Sequence, residues 1–313
     1  MSEFYPEKNT MNTWNQDRHG GDTMTYSING PLLMPFSNVR HLPYAEKLRA
    51  AQLAGFGEMS LHPHEVRDVI AGGTSARQML VMADDHGVRI TRLDPLSNWN
   101  PHWLPTNMDA SYIRDFSIPA VEFFELCEEL GCTHASLNAT FAAGVVPFDE
   151  IVEHYVATCR LAKDHGVICD IENLPMWGVA TLKQAWDIVL AADVSNGGLV
   201  FDTLHFIRSR SDLGTLESIP GSMIHCVQVN DGPLELTPGR RLEDNCFDRL
   251  WPGEGEFPLV EILRTLARTN GLNQVNPEVF SPANFGKPAD EIARLSSESI
   301  RRVLDQAGIA CAS

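Results

Sequence analysis

The sequence predicts an α/β chain folded as a (β/α)8 TIM barrel, and three observations carry that prediction. Short apolar runs bounded by turn residues alternate, eight times over, with stretches of helical spacing. Glycine stands between helix and strand at Gly87, Gly131, Gly166 and Gly271, where it can cap a helix in left-handed geometry. A length of 313 residues, 43% of them hydrophobic, suits one barrel of this kind.

In chain order, residues 1–23 are polar and lack the apolar core of a signal peptide, so they read as a loose arm before a single domain spanning 24–313. MTYSING (24–30) is the first expected strand, and Tyr44, Leu48 and Ala51 give the following helix its apolar stripe. GEMSL (57–61) is the second strand, ending at His62, and one long helical region then runs to Asp85. VRITRLD (88–94) is the third strand; the loop after it carries Trp99 and Trp103, which could wall a pocket or simply pack. Val121, Phe124, Cys127 and Leu130 mark a helix before the fourth strand, THASLNA (133–139). Ile151, Tyr155, Cys159 and Ala162 share the next helical face, leading to strand five, VICDIEN. Helices at 181–193 and 212–219 precede strands six and seven. Leu259, Ile262, Leu263 and Leu266 mark the helix before strand eight, QVNPEVF, and 292–304 closes the chain.

Strands five to eight end on oxygen-bearing side chains: Glu172, then Asp202 with His205, then Gln228, then Glu278. Parallel barrel strands all deliver their C-terminal residues to one mouth, so these four converge there. The gaps between them are 30, 26 and 50 residues. The first two approximate one strand-helix unit of roughly 31 residues, and the third contains an extended loop, 232–257. An all-oxygen set of Glu, Asp, Gln and Glu suits a hard divalent cation: Mn²⁺, Mg²⁺ or Co²⁺. The alternative is a metal-free hydrogen-bonded network. His205, just past its strand, and Arg249, heading the loop toward the mouth, are placed to bind substrate oxygens. Asp170 sits one layer deeper than Glu172 and reads as a structural hydrogen bond, while strand alternation turns His225 outward to pack on a helix.

Composition narrows the classes. A net charge of −17 argues against nucleic acid and against an anionic membrane surface as partners. No run of 18 apolar residues suggests a membrane span. Seven cysteines without a CxxC pair read as reduced core residues of a cytoplasmic protein.

The segments IEN, FDTLH, IHCVQVND, RLWPGEGEFPL and PEVFS resemble the sugar phosphate isomerase/epimerase superfamily, the xylose isomerase-like or AP endonuclease family 2 barrels. The resemblance runs from about Leu48 to the end and is densest over 170–281. It implies a metal held by Glu172, Asp202, Gln228 and Glu278, with His205 and Arg249 as the substrate-binding histidine and arginine. Inositol and ketose members usually carry His where this chain has Gln228. That glutamine is similar to bacterial 3-dehydroshikimate dehydratases, and Ser60 stands where many members have Glu.

The implied chemistry is proton abstraction alpha to the carbonyl of a small polyhydroxylated substrate, with Glu172 and Glu278 moving protons and His205 and Arg249 completing the catalytic set. Isomerase or epimerase is the first expectation; a dehydratase (lyase) using the same site is the alternative. A phosphodiesterase of damaged DNA would need more metal-binding histidines and a basic face. A non-catalytic or partner-subunit barrel, and assembly into a homo-oligomer, stay open.

Overall fold

The computed structural model describes residues 26–311, so the 1–23 arm lies outside the described residues. Eight parallel strands form one sheet in sequence order: β1 (Leu33–Met34), β2 (Glu58–Leu61), β3 (Arg89–Leu96), β4 (His134–Asn138), β5 (Ile168–Glu172), β6 (Gly197–Asp202), β7 (Ile224–Gln228) and β8 (Val275–Asn276). β1 approaches β8 without a hydrogen-bonded ladder, leaving a nearly closed barrel with helices packed outside it.

The expected first strand is corrected. Tyr26–Ser27 pairs with Ile309–Ala310 outside the barrel, and the true first strand is β1. Burial explains the choice, because Leu33 and Met34 are fully enclosed while Tyr26 and Ser27 stay accessible. The long helical region before β3 is likewise two helices, Pro63–Ala71 and Ala76–Asp85. Gly73, at φ +97, breaks the first, and a capping box of Ser75 and Gln78 starts the second. Val121 is solvent-facing rather than on the packed stripe, which Phe123, Phe124, Cys127 and Leu130 supply. Other helices fall where expected: Tyr44–Ala54, Phe148–Asp164, Leu182–Ala192, Leu213–Ser218, Leu259–Arg268 and Ala289–Ala307.

β8 ends at Asn276 because Pro277 has no N–H to offer the ladder. Asn38, in the short helix Phe36–Val39 after β1, takes over the seam. Its Nδ2 donates to Pro277 O at 2.7 Å and its Oδ1 accepts from Val279 N at 2.9 Å. Glu278 lies between those two anchors.

Candidate active site at the barrel mouth

Glu172, Asp202 and Gln228 are the last residues of β5, β6 and β7, and Glu278 follows β8 by two residues; all four are buried. Adjacent strands hold them in register, Asp202 opposite Gln228 and Gln228 opposite Asn276. Asp202 also caps the helix Thr203–Arg208, accepting from His205 N at 3.0 Å, which fixes His205 one turn beyond the strand. Glu172, Asp202 and His205 each offer a ligand atom within 4.8 Å of the others.

Arg249 joins the remaining members. Its Nη1 donates to Asp202 Oδ2 and to Glu278 Oε2, both at 2.8 Å, while its Nε donates to Cys246 O at 2.9 Å. Gln228 Nε2 donates to Glu278 Oε1 at 3.0 Å and to Asp94 Oδ2 at 3.3 Å. Asn230 Nδ2 donates to Asp202 Oδ2 at 2.9 Å. His205 Nε2 lies 3.5 Å from both Glu172 Oε1 and Arg249 Nη2.

Four buried carboxylates, those of Asp94, Glu172, Asp202 and Glu278, therefore crowd the mouth, where Arg249 bonds Asp202 and Glu278 and Asp94 feels Arg92 as well. Burial, reinforced by Glu278, Asp202 and Asp94, pushes the Glu172 carboxyl well above its ordinary range. Burial likewise lifts Glu278 to about 8 despite Arg249. Asp94 rises to about 6, again chiefly through burial. Asp202 also suffers burial, but Arg249, His205 and Asn230 outweigh it and hold the carboxyl below its usual value. His205, lowered to about 4 mainly by burial, is a neutral imidazole at physiological pH.

Above these groups opens a cavity of about 530 Å³. Tyr112 stacks on Phe116 at 4.1 Å and tilts against Trp177 at 5.7 Å, and Phe36, Phe247 and Phe280 complete an aromatic wall. Trp99 is packing instead, donating from Nε1 to Asn138 O at 2.9 Å, and Trp103 is absent from this lining. Ser60 accepts from Phe36 N at 3.0 Å, a structural contact. Sequence reasoning missed Asp94 and Asn138, although Asn138 closes β4 on a polar side chain as Glu172 closes β5, and Asp94 lies two residues before the end of β3. That repeated strand-end pattern was the signal. Tyr112, from the short helix Ala110–Phe116, and Trp177, from the loop after β5, carried none.

The xylose isomerase-like TIM barrel model matches residues 48–303. The chain belongs to that family. An inosose isomerase of Halalkalibacterium halodurans is 31% identical over 230 residues, covering 66% of this chain and 79% of the relative. A 3-dehydroshikimate dehydratase of Pseudomonas putida is 26% identical over 268 residues, 83% of this chain but only 39% of that protein's length. An inosose isomerase of Bacillus licheniformis is 33% identical over 157 residues, covering half of this chain and 55% of that protein. Among solved folds, the zinc-binding IOLI protein superposes with a TM-score of 0.74 at 20% identity, covering 89% of this chain and 99% of that one. Family relatives are thus named as isomerases and dehydratases.

Proposed function

We propose that this family member is a divalent-metal-dependent isomerase or epimerase of an uncharged, cyclic polyhydroxy ketone, working in the cytoplasm. The observation that carries the reading is the charge of the cavity. Among the described residues its sole cationic lining residue is Arg249, whose Nη1 is already shared by Asp202 and Glu278. A phosphate or carboxylate on the substrate would meet carboxylates and aromatic rings there, whereas a neutral ring fits against Tyr112 and Trp177.

The donor set fits a divalent ion held by Glu172, Asp202, Gln228 and Glu278. Gln228 Oε1 is buried without a hydrogen-bond partner, and no described side chain donates a hydrogen bond to Glu172. Unpaired buried oxygens are costly unless a cation completes them. When bound, the ion supplies Lewis-acid polarisation of the substrate carbonyl. The protein's own residues do the rest. One of Glu172 and Glu278 removes the proton alpha to the carbonyl and the other returns a proton. Return to the opposite face of the same carbon gives an epimer; return to the neighbouring carbon gives an isomer. Arg249 orients Asp202 and Glu278, and neutral His205 meets the substrate oxygens.

The test is turnover of a neutral inosose in deuterated water with Mn²⁺, followed by NMR. Deuterium on the carbon beside the carbonyl supports the reading. Absence of exchange and of isomerisation across neutral cyclic and open-chain ketoses sinks it. The dehydratase reading has an observation of its own: Arg40, beside an Arg241 that is paired with Asp244, lines a neighbouring cavity that shares Met108, Tyr112, Phe116, Glu243 and Phe247 with the mouth. A carboxylated ring reaching that far would find a cation, so loss of water from 3-dehydroshikimate, stopped by Arg40→Ala, would select it.

A further inference from the structure

At the opposite end of the barrel, where the strands begin, lies a second cluster that the mouth chemistry does not use. Asp170, fully buried on β5, accepts from Arg92 Nη2 at 2.7 Å. Its two oxygens also meet His134 Nδ1 at 3.0 Å and His225 Nδ1 at 2.6 Å. His225 reaches this place because the β6–β7 register shifts between Leu199 and Val200, which pair with Ile224 and Cys226. That bulge leaves His225 unpaired and turns it inward, overturning the expectation that it packs on a helix. Gly198 clears the space, since a Cβ there would sit 2.2 Å from His225 Nδ1 and 2.8 Å from Asp170 Oδ1.

Each of His134, Asp170 and His225 offers one ligand atom within 4.8 Å of the other two. Bonds near 2.0 Å in a tetrahedral zinc site imply ligand edges of roughly 3.3 Å. His134 Nδ1 lies 3.0 Å from Asp170 Oδ2 and His225 Nδ1 2.6 Å from Oδ1, and the three ligand atoms fall within 4.8 Å of one another, so an ion would draw both rings toward one shared carboxylate oxygen. Ligating carboxylates are characteristically held by outer hydrogen bonds. Here Arg92 provides one to Asp170 and is itself fixed by Ser136 Oγ at 3.1 Å and Gln274 Oε1 at 3.0 Å. Both histidines line a cavity of about 650 Å³ that opens to solvent, giving an ion an entry path and an open fourth position. Arg92 offsets the charge of Asp170, and Arg89 that of Glu58, the other carboxylate lining this cavity, so the pocket has little pull on a hard cation, and two imidazoles favour borderline metals such as Zn²⁺, Ni²⁺ or Cu²⁺.

We propose that His134, Asp170 and His225 form a second, zinc-type metal site at the floor of the barrel, cross-linking β4, β5 and β7 independently of the mouth. It is tested on metal-free full-length protein carrying Asp202→Ala, titrated with Zn²⁺ and Co²⁺. One equivalent of Zn²⁺ should bind, raise the melting temperature and, as Co²⁺, show the intense ligand-field absorption of a four-coordinate nitrogen-oxygen site. Adding His134→Gln and His225→Asn together should remove one equivalent and the absorption. Unchanged Zn²⁺ stoichiometry after both histidine replacements overturns the proposal. Wild-type protein saturated with Mg²⁺ gives a check that depends on no variant: the same Co²⁺ spectrum is expected, and its absence overturns the site outright.

Discussion

The mouth and the floor of this barrel are built from the same three side-chain types and balance them in opposite ways. At the floor one carboxylate, Asp170, is surrounded by Arg92, His134 and His225, and every Asp170 oxygen has a partner. At the mouth four carboxylates are buried together, only Asp202 and Glu278 bonded to Arg249, and Gln228 Oε1, His205 Nδ1 and Asn138 Oδ1 are buried without partners. The floor can fold around its own charges. The mouth leaves buried polar atoms unpaired. Oxygen donors dominate above and imidazole nitrogens below, so the two ends should sort metals by hardness.

The largest expected contrast is in stability. Asp170→Ala strands the fully buried Arg92 and should destabilise the protein by about 3–5 kcal/mol. Asp202→Ala leaves Arg249 its pair with Glu278 and removes one of four mutually repelling carboxylates, so the loss should be much smaller. Denaturant melts of both variants, metal-free, decide the matter; equal losses would mean the mouth is as structural as the floor.

Catalysis should show the reverse order. Glu172→Gln and Glu278→Gln keep an oxygen ligand but remove the basic carboxylate, so turnover should fall about a hundredfold or more while metal affinity falls only partly. Steady-state kinetics beside metal titrations separate the two effects. Wild-type turnover in both variants would end the two-carboxylate mechanism.

How far this contrast was legible in the sequence follows from what each residue depends on. Glu172, Asp202 and Gln228 close apolar runs, and parallel strands of equal pitch bring such endings together whatever the loops do. His225 was misread because side-chain alternation assumes an unbroken ladder, and the bulge opposite Leu199 and Val200 has no local signature. The two-residue β1 was hidden for a different reason. PLLMPF is bounded by Pro31 and Pro35 and has no alternating pattern, and only the burial of Leu33 and Met34 selects it over MTYSING. Arg249 was placed at the mouth correctly, but its sharing between Asp202 and Glu278 depends on a long loop whose path no periodicity encodes.

The two ends should also respond to pH in opposite directions. Glu278, at about 8 when folded against an ordinary 4.5, keeps a proton that the unfolded chain has released. Its contribution to the metal-free fold is complete in acid and is lost as pH climbs toward 8. Asp170 also suffers burial, but Arg92 and the histidines overcome it and hold it below the usual carboxylate range, so its contribution disappears on acidification. Binding of Mn²⁺ at neutral pH should release protons from the mouth, measurable by calorimetry in buffers of different ionisation enthalpy. Zero release would mean that the mouth carboxyls are already ionised.

The smallest effect belongs to the seam between the two ends of the sheet. β1 and β8 share no ladder, and Asn38 substitutes for one by holding Pro277 O and Val279 N on either side of Glu278. Ser296 Oγ, 3.2 Å from Asn38 Nδ2, steadies the amide from the helix Ala289–Ala307. Asn38→Leu keeps the volume but leaves a carbonyl and an N–H without partners, which should cost about 1–3 kcal/mol of stability. The Glu278 backbone would then be free to shift, while Glu172, Asp202 and the aromatic wall stay in place. A displacement of that size should lower kcat by roughly tenfold and leave KM nearly unchanged. Asn38→Asp retains the acceptor for Val279 N and loses the Nδ2 donor to Pro277 O and Ser296 Oγ, so its kcat should fall between the wild type and Asn38→Leu. Both variants losing stability with kcat intact would show that the amide closes the barrel without positioning Glu278.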